Sequence, residues 1–399
     1  MVRRYKFDRM EFAGSLGDLG TLLPLAIGMI LINGLSPSGL FLSVGFYYIF
    51  SGSYAGVTVP VQPMKVIGAY AIATAMSASQ ILASGALMGL LLLIIGGTGV
   101  ITAIGKYTPK AVVRGIQLST GTLLMAQGIK FMIGTSKFQL LRQVAEPYLT
   151  IQSLGPIPVG IVIGVFGGVL TLLLVENRKL PAGLLVVLGG IAIGVIVGAH
   201  EGLEEFKLGI NIPRFFPSGF PSSADFAFAF FALVLPQIPM TIGNAVIAYV
   251  DLSREYFGDN SKKITYRTAC ISMALANFLS YSLGGMPLCH GAGGLAAHYR
   301  FGARTAGSNL IIGLIFVSLA TLFGENALFA VKLLPMSILG VLLLFAGSQL
   351  ALTLIDMKER KELFTAIVIL GITLASNLAV GFVVGLAVAF ALKSDKLTV

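Results

Sequence analysis

Charge is scarce in this chain. Only 11% of its 399 residues are Asp, Glu, Lys or Arg, and 56% are hydrophobic. That balance excludes an ordinary soluble domain, and it leaves no long solvated segment for a polar linker. Cysteine is scarcer still. Cys270 and Cys289 are the whole complement, and both sit in apolar surroundings. Two such residues make no disulfide framework and no cysteine metal centre, and they read as small core side chains. The N-terminal stretch is basic but leads into a segment holding Asp18, with no small-residue cleavage site, so no cleavable signal is expected.

What fills the chain instead is apolar runs of about 20 residues, the length that spans a bilayer. The expected class is an all-α polytopic membrane protein. The spans are expected near 12–32, 39–54, 63–75, 80–104, 115–132, 159–175 and 182–199 in one half. In the other they fall near 224–250, 268–283, 287–299, 305–323 and 335–355, with two short spans sharing 363–392. The formal net charge of +10 would suit nucleic acid, but its distribution does not. Of the 27 Lys and Arg, six fall on one side of this topology (Lys130, Lys137, Arg142, Lys207, Arg214 and Lys332) and Lys65 lies within the membrane. The rest flank span ends on the other side. That bias places both termini in the cytoplasm of a plasma-membrane protein, with the lipid bilayer and not nucleic acid as partner.

The organising stretch is TVPVQPMKVIGAY, residues 58–70. A proline pair at membrane depth interrupts a helix, because proline has no N–H to donate and restricts the residue before it. A new helix is expected to start with Pro63 in its first turn, leaving the N–H groups of Met64, Lys65 and Val66 without helical acceptors. GGMPLCHGAGGLAA, residues 284–297, has the same character, with Pro287 opening a helix and free N–H groups at Leu288, Cys289, His290 and Gly291. Two buried helix starts make an anion site.

The halves repeat weakly but in order. Pro63–Gly68 lies over Pro287–Ala292, and at the same separation Met88–Leu91 lies over Ile312–Ile315. Ser119–Gly121 matches Phe345–Gly347 after a small gap. Seven spans per half is odd, so the halves are expected to be inverted about an axis in the membrane plane, with half helices 3 and 10 meeting at its centre. The expected repeats cover residues 1–199 and 223–399.

Each helix N-terminus carries about half a positive charge, so two of them plus a protonated Lys65 sum to about two, which suits a dianion. A lysine at this depth costs about 2.5–3.5 kcal/mol on insertion scales, so a decorative Lys65 is disfavoured; its alternatives are snorkelling and pairing with Asp18. Gln62 and Gln237 either donate to anion oxygens or satisfy broken-helix backbone. The same two readings hold for Thr241 and Asn244, where Pro239 loosens span 8. Gly17, with Ser15, Gly20 and Thr21, permits close backbone approach on span 1, as do Gly291, Gly293 and Gly294 on span 10; helix packing is the other reading. Asp18 is either a proton-coupling carboxylate or the partner of Lys65. His290 stands beside the expected anion end of span 10 and titrates near neutrality in its ordinary state.

FAGSLGDLGTLLPL in span 1, VPVQPMK before span 3, PMTIGNAV in span 8 and PLCHGAGGLAAHYRFGART at span 10 resemble the molybdate transporter family of the sulphate-permease (SulP) superfamily. The resemblance runs over essentially the whole chain. It implies seven plus seven spans in inverted repeat, with a core domain of spans 1–4 and 8–11 and a gate domain of the remainder. It implies secondary-active uptake of a tetrahedral oxyanion, molybdate before sulphate or tungstate, and a homodimer. It also implies no soluble C-terminal regulatory domain, no cofactor, no metal and no catalytic residues.

Three other functions are weighed. A nucleobase permease of the same fold wants carboxylates on spans 8 and 10, where this chain has Gln237, Asn244 and His290. An intramembrane hydrolase would use Asp18, Cys289 and His290, but adjacent residues on a helix point about 100° apart. A channel would show flux far above transporter turnover.

Overall fold

A computed structural model describes residues 5–101, 109–174, 182–198, 209, 211, 214–394 and 397. Arg3, Arg4, Lys106, Arg178, Lys179, Lys207 and Lys396, which entered the charge argument, lie outside the described residues. The chain is helical almost throughout. Span 2 is Pro37–Ala55, span 3 Lys65–Thr74, span 4 Ala78–Thr98 and span 5 Lys110–Ile133. Spans 6 and 7 are Val159–Leu174 and Ala182–Ile196. In the second half, span 9 is Tyr266–Leu283, span 10 Ala292–Phe301, span 11 Ala306–Phe323 and span 12 Met336–Ala351. Spans 13 and 14 are the short helices Arg360–Ala375 and Leu378–Ala391.

Two expectations about helix continuity are corrected. Span 1 is broken: Arg9–Ser15 ends, and Leu19–Leu31 begins after a turn holding Gly17, with Asp18 at its N-cap. Span 8 is unbroken despite Pro236 and Pro239. Ser223–Ala229 runs into a π-helical segment Phe230–Val234, then Leu235–Met240, then a second π segment Thr241–Ala248, and on through Tyr249–Phe257. The wider π turn absorbs the missing proline N–H without ending the helix.

The contacts between spans carry the inverted repeat. Span 2 packs on span 11 and span 4 on span 9, and a shift of seven exchanges the two pairs. The pair of spans 5 and 12 maps onto itself. Span 5 on 13 maps to 12 on 6, 13 on 14 to 6 on 7, 1 on 12 to 8 on 5, and 1 on 7 to 8 on 14, and all of these pairs are in contact. Such closure is the signature of a two-fold relation between halves. Spans 5 and 12 cross antiparallel through glycine. A Cβ on Gly121 would lie 2.5 Å from Gly347 O, and one on Gly128 would lie 2.4 Å from Gly340 O. Only residues without a side chain let the two backbones approach this closely.

The half helices are joined by sheet. Strand β1 is Gln62–Pro63; a small hairpin between spans 5 and 6 supplies β2 (Ser153–Leu154) and β3 (Ile157–Pro158); and β4 is Leu288–Cys289. β1 pairs antiparallel with β4, Gln62 opposite Cys289 and Pro63 opposite Leu288. Backbone in the membrane interior must find partners, and asparagines from the flanking spans provide them. Asn277 of span 9 donates to Leu288 O at 2.7 Å and accepts from Leu288 N at 3.0 Å. Asn309 of span 11 does the same for Val59, at 2.8 and 2.9 Å.

Candidate anion-binding site

The prolines lie in the strands, and the helices start later than the sequence suggests. Span 3 begins at Lys65 with Met64 as N-cap, and span 10 begins at Ala292 with Gly291 as N-cap. This changes which donors are free. Met64 N–H is taken by Pro287 O at 2.9 Å. Val66 N–H donates to Gln237 Oε1 at 3.0 Å, and Ile67 N–H to the same oxygen at 3.2 Å. Leu288 N–H is held by Asn277. Met64, Val66 and Leu288 therefore do not offer the expected N–H groups, and Cys289 is a strand residue whose thiol points to Pro63 O at 3.6 Å. Among the described residues nothing accepts from the backbone N–H of Lys65, Ala292, Gly293 or Gly294. The open helix end belongs to span 10, five residues beyond its expected start.

Gln237 resolves in favour of backbone. Its carbonyl oxygen caps span 3, and its Nε2 donates to Thr241 Oγ1 at 2.8 Å, so both side chains are committed. Gln62 lies over the start of span 10: a Cβ on Gly291 would fall 2.2 Å from its Oε1, and one on Gly294 would fall 2.6 Å from its Nε2. Its Oε1 is buried without a hydrogen-bond partner. Gly291 thus faces Gln62, whereas a Cβ on Gly293 would meet nothing within 4 Å.

A cavity of about 520 Å³ opens beside these helix starts. Gly17 and Thr21 of span 1, Lys65, Asn244 and Gly293 line it on one side. On the other stand Arg114, Gln117, Gln349 and Thr353, from span 5 and the end of span 12. No Asp or Glu is in its lining among the described residues. Lys65 has no carboxylate within 4.0 Å among the described residues, so the alternative reading, an ion pair with Asp18, is not made. Arg114 is differently placed. Its Nε donates to Asp356 Oδ1 at 3.0 Å and its Nη1 to Gln117 Oε1 at 2.8 Å, while Thr353 donates to the same Gln117 oxygen at 2.9 Å. The charge of Arg114 is balanced; that of Lys65 is not.

Arg114 escapes a reading of the sequence because it looks like a positive loop residue. Span 5 begins at Lys110, five residues earlier than its apolar run, and carries Arg114 into the wall. Gln117, Gln349 and Thr353 carry no signal of their own, since only the packing of span 5 on span 12 brings them to the cavity.

Asp18 sits behind the cavity. Tyr48 OH donates to its Oδ1 at 2.7 Å. His298 Nε2 lies 3.1 Å from the same oxygen, at ion-pair distance but out of line for a hydrogen bond, and Asp18 Oδ2 is buried with no partner. His298 Nδ1 is 2.8 Å from Thr58 Oγ1. His290 turns away from the cavity. Its Nε2 is 2.8 Å from Tyr47 OH and 3.1 Å from Ser272 Oγ, its Nδ1 is 2.9 Å from Pro60 O, and the Tyr249 ring stacks on it. Asp18, Cys289 and His290 form no common cluster.

Ser222 caps span 8, and Asp225 is the reciprocal partner three residues on, which also accepts from Ser79 at 2.9 Å. Glu146, in the loop between spans 5 and 6, is fully buried and caps span 12, accepting from Met336 N at 2.8 Å and Ser337 N at 2.9 Å. Burial holds its carboxyl above the ordinary range, against the lowering effect of those bonds.

Fold and site together define a multi-pass membrane transporter of anions, built on two inverted repeats with a cation and a free helix end in the cavity between them. A profile of the family described as "Molybdate transporter of MFS superfamily" matches residues 10–124 and 229–350. Molybdate transporter 2 of Arabidopsis thaliana is 31% identical, over 96% of this chain and 87% of its own length. Molybdate transporter 1 of Chlamydomonas reinhardtii is 28% identical, over 94% and 90%. The chain belongs to the molybdate transporter family. Its fold is also that of SLC26A9, with a TM-score of 0.65 at 16% identity, covering 96% of this chain and 64% of that one, so it spans about two thirds of that neighbour's length. The transmembrane domain of the cyanobacterial bicarbonate transporter BicA matches at 0.63 and 15%, over 96% and 98%. The family's description names the MFS superfamily, whose members have two six-helix halves; the fold here is a seven-plus-seven arrangement, shared with those two solved structures.

Proposed function

We propose that this transporter takes up molybdate by secondary-active transport across the plasma membrane, with both termini cytoplasmic, as a homodimer. The repeats are residues 1–199 and 223–399, with spans 1–4 and 8–11 forming the core that carries the site and spans 5–7 and 12–14 the gate. The observation that carries the reading is a cavity with no Asp or Glu in its lining among the described residues, in which Lys65, with no described carboxylate within 4.0 Å, stands beside the free N–H groups of span 10. A dianion there replaces its hydration shell with one full charge and the helix dipoles. A nucleobase, which needs acceptors for its ring N–H groups, finds no carboxylate in that lining among the described residues.

The finer assignment is asymmetric. Lys65, Gly293, Asn244, Thr21 and Gly17 face the substrate; Gln237 and Thr241 hold span 3 in place; Gln62 positions the start of span 10. Asp18 is the coupling group in this proposal, because its second oxygen is buried unpartnered and His298 Nε2 stands 3.1 Å from the first. Titration of the purified protein with molybdate, tungstate and sulphate tests the substrate. Molybdate binding more tightly than sulphate is expected; the reverse order overturns the assignment and makes it a sulphate carrier. Asp18→Asn is expected to keep molybdate affinity within about threefold, since Asn still accepts from Tyr48, and to abolish stimulation of uptake by a proton gradient. Stimulation that survives removes Asp18 from the coupling role.

A further inference from the structure

A second cavity, about 530 Å³, shares no lining residue with the first and is reached from a different face. Its walls are spans 2 and 9, and they are almost wholly apolar. Phe50, Tyr54 and Leu275 on its rim are 66%, 54% and 61% exposed. These residues belong to membrane-spanning helices, so the medium they meet is lipid. The floor is His290 with Tyr47 and Ser272, whose polar atoms already satisfy one another and Pro60 O. The floor therefore asks for no ligand; the mouth does.

At the mouth Lys263 Nζ stands 5.5 Å over the Tyr54 ring. Neighbouring charges are matched, Lys262 with Asp259 at 3.2 Å and Arg254 with Asp251 at 3.6 Å. Among the described residues Lys263 has no carboxylate within 4.0 Å. A tyrosine and a lysine at the ends of adjacent spans mark the level of lipid headgroups. A small free anion would leave the apolar walls uncovered, and a neutral lipid would leave the lysine unmatched.

We infer that this groove holds one anionic phospholipid, with an acyl chain between spans 2 and 9 and its phosphate at Lys263. Basic pockets beside spanning helices select acidic headgroups in this way. The occupant lies against the wall that fixes Pro60, so it abuts the strip that carries Gln62 and Lys65.

The test is native mass spectrometry of the full chain with added phosphatidylglycerol or phosphatidylcholine, one species at a time. Phosphatidylglycerol is expected to bind at concentrations well below those needed for phosphatidylcholine. Lys263→Gln should weaken its binding about fivefold, the weight of one basic residue near an acidic surface. Leu275→Trp, which fills the groove, should remove both lipids, and Lys393→Gln, elsewhere on the surface, should change nothing. Equal binding of the two lipids overturns the inference, as does a headgroup preference that survives Lys263→Gln. Displacement of the lipid by millimolar inorganic phosphate also overturns it, because the chain would then contribute nothing. Disulfide cross-linking of two copies through Leu275→Cys would assign the groove to a second protomer instead.

Discussion

Removing the charge of Lys65 should separate binding from stability. In the empty protein Lys65 stands at membrane depth with no carboxylate within 4.0 Å among the described residues, a placement that costs about 2.5–3.5 kcal/mol for a lysine on insertion scales. Lys65→Met keeps the length of the side chain and removes that cost. The empty variant should therefore unfold at the same temperature as wild type or higher. Binding should move the other way. A hydrogen bond between charged partners is worth about 1.5–3 kcal/mol net, and 1.4 kcal/mol is about tenfold in affinity. Loss of molybdate affinity by about 10- to 150-fold follows. Arg114 does not compensate, because Asp356 already holds it at 3.0 Å. Isothermal titration and a thermal-shift scan of the same preparation read the two effects together. Affinity within threefold of wild type would refute the electrostatic argument. A variant that loses affinity only because it is less stable would show that Lys65 is structural.

Gly293 offers a steric counterpart. Its Cβ position is open, so Gly293→Ala should stabilise span 10 by about 0.5–1 kcal/mol with little effect on binding, whereas Gly293→Leu should fill the anion's place and lower uptake at least tenfold in proteoliposomes; equal uptake by both would put the substrate elsewhere. Gly128→Ala places a methyl 2.4 Å from Gly340 O and should cost about 1–3 kcal/mol by overpacking, read as a lower unfolding temperature; an unchanged one would mean that spans 5 and 12 separate freely. Glu146 carries a pH signature. Its carboxyl is raised by burial from an ordinary value near 4.5, so its contribution to stability is fully present below that value and is lost as pH rises through the folded one. Wild type should therefore lose stability relative to Glu146→Gln as pH climbs from about 4.5 through the mildly acidic range; parallel pH profiles would contradict it.

The comparison with the sequence turns on scale. Apolar length and flanking charge are local and additive, so the span count, the half-length of spans 3 and 10 and the shortness of spans 13 and 14 were legible. The proline pairs also marked where helix stops. They did not mark where it resumes, because an extended strip is stable in a membrane only if something distant satisfies it. Asn277 and Asn309 do that from other spans, and they carried helix to a start at Lys65 and Ala292 instead of at the prolines.

By itself, then, the chain determined the membrane class, the inverted repeat and the juxtaposition of two interrupted helices, since these follow from the spacing of apolar runs and imino acids. The tertiary structure alone decided which donors remain open. Gln237 closes one helix end from a hydrogen-bonding distance no spacing rule encodes, and the crossing of span 5 on span 12 supplies half of the cavity wall. A hydrogen bond has two partners, and only the fold says whether the second one is protein or substrate.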